Sequence, residues 1–303
     1  MEKLLARLPP VVGASLATAF GGTAVIATRY VVGETDAVAL AFLRHLGCGL
    51  LVAALAWASL GRRARIARAD LWPITLLALL QFAVYGWLFT ASLAYAPAAR
   101  AALVMTSMPL ATLVLAAAVG RERFTVAKVV ACVFATAGVA IALGDGAGGG
   151  DEVWKGDALM AAAVVVGAIY ATAAGPYLRR SPSLAVAAYS ILLGAAALFA
   201  AVAWRGDFAH LVSFSPTGWL AVLWLAGPAG VLPFYLWIWA FERTTPARVT
   251  ITIALNPITA GILGALVLGE PVSWRLLAGL VLIVAGIALA FRPLRFLRAA
   301  AAD

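Results

Sequence analysis

The sequence is short of charge and short of the residues that build most active sites. Only 12% of its 303 residues are Asp, Glu, Lys or Arg, about half the share a soluble domain carries. Two histidines and two cysteines are present. Cys48 and Cys132 both fall in apolar stretches, which argues against a disulfide framework and for small packing residues. No H-E-x-x-H, no G-x-S-x-G and no Cys–His pairing at a recognisable spacing occurs, so an intramembrane enzyme has few chemistries open to it. No catalytic residue, metal ligand or cofactor is expected. The scarcity is sharpest for acids. None lies deep in a hydrophobic run, and Glu122, Glu242 and Glu270 all stand at run ends.

Apolar surface is what the chain has in excess. Hydrophobic residues make up 64% and the mean hydropathy is +1.01, more than one soluble core can hide, so lipid must cover part of it. The fold class expected is an all-α integral membrane protein. A net charge of +9 would suggest nucleic acid in a soluble protein. Here the basic residues lie between the hydrophobic runs, and topology accounts for them without a nucleic-acid partner.

Parsing at roughly 20 apolar residues per crossing predicts ten spans. They run near 11–32, 37–59, 71–94, 97–119 and 125–144, then 156–178, 183–204, 217–241, 246–268 and 273–291. The opening stretch resembles a signal peptide, with Lys3 and Arg7 ahead of an apolar run, but is read as a retained first span because the repeat described below needs it. Sixteen basic residues fall in one set of alternate connections. Arg29, Arg100, Lys155, Arg205 and Arg275 fall in the other, and Arg44 lies inside a span. The richer side is cytoplasmic by the positive-inside rule, which places both termini there. The loop "GDGAGGGDE" (144–152) contains G-x-G-x-x-G, from Gly144 to Gly149. With no strand before it, it reads as a flexible extracytoplasmic linker.

Residues 108–127 ("MPLATLVLAAAVGRERFTVA") and 256–275 ("NPITAGILGALVLGEPVSWR") are near copies. Pro109 and Pro257, Glu122 and Glu270, and Arg100 and Arg248 are each 148 residues apart. Further upstream the offset is 147, pairing Gly47 with Gly194 and Trp72 with Trp219. Residues 1–144 and 156–303 are therefore read as two five-helix repeats, joined by a linker at 145–155. Five is an odd number, so the second repeat enters the membrane inverted, as in secondary transporters.

Ten spans in two halves, with a proline followed by "LGE" or "GRE" near the end of each fourth helix, resemble the drug/metabolite transporter superfamily in its EamA-type branch. Within it the chain looks most similar to the bacterial YddG-like exporters of aromatic and other amino acids. Arg121 stands where the family has glycine. The resemblance implies a central cavity between the halves, export from the cytoplasm, and residence in the bacterial inner membrane. A small molecule and lipid are then the expected partners, and a monomer the expected unit.

Each proline removes a backbone donor, so Pro109 should free the carbonyl of Met105 and Pro257 that of Ile253. Such breaks in equivalent places point to a substrate site, though kinks also shape packing. Gly227, Pro228, Gly230 and Pro233 interrupt the eighth span and suggest a hinge. Candidate substrate contacts are Gln81, Tyr85, Thr106, Tyr170, Trp237, Thr252 and Asn256, whose buried polar atoms need partners. Hydrogen bonds between helices are the competing use of the same residues. Arg44 and His45 are the ionisable residues inside a span. Arg44 lies about 12 Å below the outer end of its helix and is expected to snorkel towards Glu34 or Asp36.

The missing intramembrane acids decide among functions. Proton-coupled export of cations commonly needs a buried carboxylate, and a phosphorylated substrate wants several buried Lys or Arg. A small zwitterion, foremost an amino acid, fits what remains. Other neutral or drug-like metabolites are the alternative, and a non-transporting membrane subunit is the other class.

Overall fold

A computed structural model describes residues 9–61, 64–120, 152–178, 180–241, 252 and 255–291, with scattered helical positions between 129 and 141. No strand occurs among the described residues. The N-terminal part of the chain forms α1 (Pro10–Val31), α2 (Ala37–Leu60), α3 (Arg68–Ala78), a π-helical turn (Leu79–Val84), α4 (Tyr85–Tyr95), α5 (Ala98–Met105) and α6 (Met108–Ala118). The C-terminal part forms α7 (Val153–Leu178), α8 (Ser183–Arg205), α9 (Pro216–Ala226), α10 (Pro228–Phe241), α11 (Leu255–Leu268) and α12 (Trp274–Phe291).

Among the described residues six helical stretches are long and apolar enough to cross a membrane, and the shorter apolar stretches Leu255–Leu268 and Trp274–Gly286 add to them. Most of the fifth expected span, residues 145–151 of the expected linker, Glu122, Arg248 and the chain termini lie outside the described residues, and the linker's last three residues, 153–155, belong to α7. Helix starts are chemically marked. The Asp36 carboxylate accepts from the amides of Val38 (2.9 Å) and Ala39 (3.3 Å), and Ser215 Oγ accepts from Gly218 N (2.9 Å) ahead of Pro216, satisfying donors that a helix leaves open. Trp57, Trp72, Trp154, Trp204 and Trp274, all within a few residues of helix ends, are strongly exposed. Tryptophan favours that position at a membrane–water boundary.

Two long helices are broken in corresponding places. The π-helical turn at 79–84 separates α3 from α4, and Gly227 separates α9 from α10. At the 147-residue offset Gly227 corresponds to Leu80 and Pro228 to Gln81. The causes differ. Pro228 and Pro233 lack amide hydrogens, whereas the first half inserts a π turn with no proline in it. A second break falls at Thr106–Ser107, after which Pro109 sits in the first turn of α6, a position where its missing donor costs little.

Small residues let the helices approach. A methyl on Gly156 of α7 would lie 2.7 Å from Ala96 Cβ and 2.8 Å from the Ser92 carbonyl oxygen, and one on Gly49 of α2 would lie 2.8 Å from Leu192 Cδ2 of α8. Gly261 stands on α11 opposite Ala99 of α5 and serves packing within the chain. α1 packs through Ala14 and Ala17 on Leu236 and Ala240 of α10, which integrates the first span into the bundle.

Candidate functional site

The π turn and the start of α4 bring the first two site candidates to one side of the bundle. Gln81 lies in the turn, and its Oε1 is buried without a hydrogen-bond partner. Tyr85 is half-buried between α5 and α7. Among the described residues its hydroxyl reaches only Met105 Sδ, at 3.6 Å, and a methyl on Gly167 would come within 3.3 Å of its ring. The ring stacks on Phe89 with centroids 6.1 Å apart and planes 17° apart. Phe82 takes Tyr170 edge-on at 6.4 Å and His45 edge-on at 5.9 Å. π turns within helices concentrate at functional positions, and this one carries an orphan amide oxygen.

Arg44 does not reach the acids at the end of its helix. Glu34 accepts from Ser215 N and Ser215 Oγ, both at 2.8 Å. Asp36 caps α2 and pairs with Arg205 at 3.1 Å. With both acids occupied, the Arg44 guanidinium instead lies over the Phe89 ring, its Cζ 5.2 Å from the centroid. Its Nη1 is buried and unbonded. His45 faces elsewhere, as expected from helical geometry. It is buried, its Nδ1 is 2.6 Å from the Ala41 carbonyl oxygen, and it fills the space left by Gly86 of α4.

The remaining candidates lie elsewhere. Thr106 Oγ1 donates to the Ala102 carbonyl (2.9 Å). Thr252 lies 3.1 Å from Thr18 across the α1 side of the bundle. Asn256 also faces α1, near Gly21, and its Oδ1 is buried without a partner. Tyr170 stands with Ile74, Leu77 and Tyr177 beside a narrow apolar crevice. Trp237 lies on α10, but its side chain is outside the described residues. Pro257 is buried in the first turn of α11. Thus Gln81, Tyr85 and Arg44 gather around α2–α4, while Thr252 and Asn256 belong to the α1–α11 seam.

The hinge candidates border a groove. Gly227, Pro228, Val231, Leu232 and Tyr235 face Leu51, Ala54, Leu55 and Ala58 of α2 across a volume of about 580 Å³. The close approach at its head depends on Gly230, where a methyl would stand 2.6 Å from the Leu225 carbonyl oxygen and 3.1 Å from Cys48 Sγ.

One end of the bundle is tied across the chain's two parts. Besides Glu34–Ser215 and Asp36–Arg205, Tyr30 meets Thr217 (2.9 Å) and Thr35 donates to the His210 carbonyl (2.6 Å). Arg100 grips Asp157 with Nε at 2.9 Å and Nη2 at 2.6 Å. Glu270 accepts from Ala98 N (2.9 Å) and pairs with Arg29 Nε (3.4 Å), while Arg29 Nη1 donates to the Leu93 carbonyl (2.6 Å). Beside them opens a cleft of about 360 Å³, lined by Arg29, Tyr30, Ala94, Leu268 and Glu270. At the opposite end the described cross-ties are sparser. Arg180 approaches Asp70 at 3.5 Å from an exposed position, and Thr75 meets Tyr189 at 2.7 Å. The sequence flagged Glu270 as half of a repeated motif but gave no hint of its partner, because a backbone amide 172 residues away leaves no mark in residue identity. Phe89 was missed for a similar reason: an apolar ring in an apolar run carries no signal.

Comparison with known proteins gives a family and relatives. The EamA-like transporter family matches residues 8–144 and, a second time, residues 154–292. An uncharacterized transporter of Archaeoglobus fulgidus is 24% identical over 282 residues, covering 92% of this chain and 97% of the relative. A solved crystal structure superposes with a TM-score of 0.69 at 26% identity, covering 94% of this chain and 96% of the other.

Proposed function

The chain belongs to the EamA-like transporter family, and we propose that it exports small zwitterionic metabolites, foremost aromatic and other amino acids, by alternating access. In this reading it is a multi-pass protein of a bacterial inner membrane, with ten spans in two inverted five-helix repeats and both termini in the cytoplasm. A YddG-like branch fits that substrate class.

The observation that carries the mechanism is the matched interruption at Leu80–Gln81 and Gly227–Pro228. Two halves that bend at the same level can exchange roles as the bundle rocks. The cross-ties at one end support the same view. The tied end holds Arg29, Arg100, Lys155 and Arg205, four of the five basic residues of the sparse set, and each of the four has a carboxylate partner there. On the positive-inside reading that end is the extracytoplasmic one, and its ties are what an outward-closed arrangement needs, while the α2–α10 groove lies along the half of α2 nearer the other end.

The substrate reading rests on what lines the interior. Aromatic rings and orphan amides offer apolar and polar contacts together. No group of acidic, histidine or cysteine side chains able to hold a metal occurs among the described residues. The test is flux of labelled amino acids in proteoliposomes, with and without a pH gradient. Saturable, competable flux in both conditions is expected. Accumulation only with the gradient would overturn the uncoupled version, and absence of any amino-acid flux would overturn the substrate class.

A further inference from the structure

We propose that Arg44 is the anchor for the carboxylate of the transported molecule, so that the site selects organic monoanions bearing an aromatic or apolar group, whether or not they carry an amine. This deepens the transport reading above and rests on it.

A guanidinium buried within a membrane bundle is costly unless something neutralises it. Arg44 makes no hydrogen bond or ion pair among the described residues, and its Nη1 is buried and empty-handed. The titratable side chains it interacts with electrostatically are Tyr85, Cys48 and His45, and none is a carboxylate. The acids within reach of its helix are committed, Glu34 to Ser215 and Asp36 to Arg205. A permanent cation held this way is missing its anion.

The surroundings specify what that anion is. One face of the guanidinium lies on Phe89, a cation–π arrangement that fixes the plane and leaves the edge for a bidentate partner. Tyr85, stacked on the same ring, has a hydroxyl whose contact is a thioether at 3.6 Å. That weak contact can be exchanged for an anionic oxygen. The residue corresponding to Arg44 at the 147-residue offset is Ile191, so the second half supplies no matching cation. One cation suits a single negative charge, hence a carboxylate and not a phosphate dianion.

The α2–α10 groove lies along the same side of α2 and would take the apolar part. Arg44, Leu51, Leu55 and Ala58 share one face of α2, since seven residues make two turns and a rise of about 10 Å. The last three line the groove against Pro228, Val231 and Tyr235. The groove closes where Gly230 meets Cys48, one turn of α2 short of Arg44, so a carboxylate entering along it reaches Arg44 only when α10 moves away from α2 at the Gly227–Pro228 break.

The purified full chain in detergent tests this with 3-phenylpropionate and its shape-matched amide, 3-phenylpropionamide, by calorimetry and thermal shift. The acid should bind and raise the melting temperature, and the amide should bind at least roughly 30-fold more weakly, as expected for losing a charge-assisted contact. Arg44→Gln should abolish the difference, and Arg44→Lys should keep part of it. Equal binding of acid and amide, undiminished acid binding by Arg44→Gln, or no acid binding at all would overturn the proposal. Should Arg44→Gln fail to fold, the acid–amide ratio in the unmodified chain and in Arg44→Lys decides. Acid binding through Arg44 without amino-acid flux would leave the anchor standing and remove the amino-acid reading. Amino-acid flux unchanged by Arg44→Gln would do the reverse.

Discussion

The carboxylate of Glu270, in the loop after α11, caps the amide of Ala98 at the first turn of α5, 172 residues earlier in the chain. It closes a helix start that its own segment leaves open, because Pro97 before it has no side-chain acceptor. The same carboxylate holds Arg29 of α1, so one acid joins three helices at the tied end. If alternating access opens that end, this contact must break and re-form in each cycle.

Replacing Glu270 with alanine removes a charged acceptor from a part-buried amide, a loss of about 1.5–3 kcal/mol. The tied end should open more often. A cysteine placed at Ala94, which lines the adjoining cleft, should then react faster with a membrane-impermeant maleimide than in the Glu270 parent. An unchanged labelling rate would show that the cap does not restrain this end.

The two arginine–aspartate pairs nearby should differ greatly in weight. Arg100 and Asp157 are 12% and 14% exposed and make a bidentate contact, whereas Arg205 is 44% exposed. Asp157→Asn should destabilise by about 1.5–3 kcal/mol, the loss of a part-buried, charge-assisted contact. Arg205→Ala should cost less than about 1 kcal/mol. Thermal melts of both variants in one detergent provide the comparison.

Glycine packing gives a third test. Gly156→Ala would press a methyl onto Ala96 Cβ and on backbone atoms of Ala96 and Ser92 that cannot swing aside, and overpacking of this kind costs about 1–3 kcal/mol. Gly33→Ala meets nothing within 4 Å and should melt with the parent.

The break in the eighth helix should matter for rate more than for binding. Pro228→Ala with Pro233→Ala restores two amide donors and favours a continuous helix. Turnover should fall about tenfold, a barrier change of ~1.4 kcal/mol, while the half-saturating substrate concentration stays close to the parent value. A proportional loss in both would place these prolines in the binding surface instead of the hinge.

Helix positions were legible because the membrane imposes a length and a composition on each crossing. The expected spans 37–59 and 183–204 meet helices at Ala37–Leu60 and Ser183–Arg205, and the proline-marked break in the eighth span appears at Gly227. The π turn at 79–84 had no such mark. It inserts an extra residue per turn without any residue type that demands it, so only packing against α7 and α8 could reveal it. Thr106 is a candidate substrate contact for its polarity alone, and its hydroxyl donates to the Ala102 carbonyl of its own helix.

The sequence by itself determined that this chain lies in a bilayer and that stretches of it repeat at a fixed spacing. Those properties follow from local hydrophobicity and from residue spacing, which are one-dimensional. Tertiary structure alone decided which charges are matched. Glu34, Asp36 and Glu270 each find partners more than sixty residues distant, and their commitment is what leaves Arg44 over Phe89 without a counterion. Pairing is a matter of distance in space, and an arginine's surplus charge becomes visible only when every acid around it has been assigned.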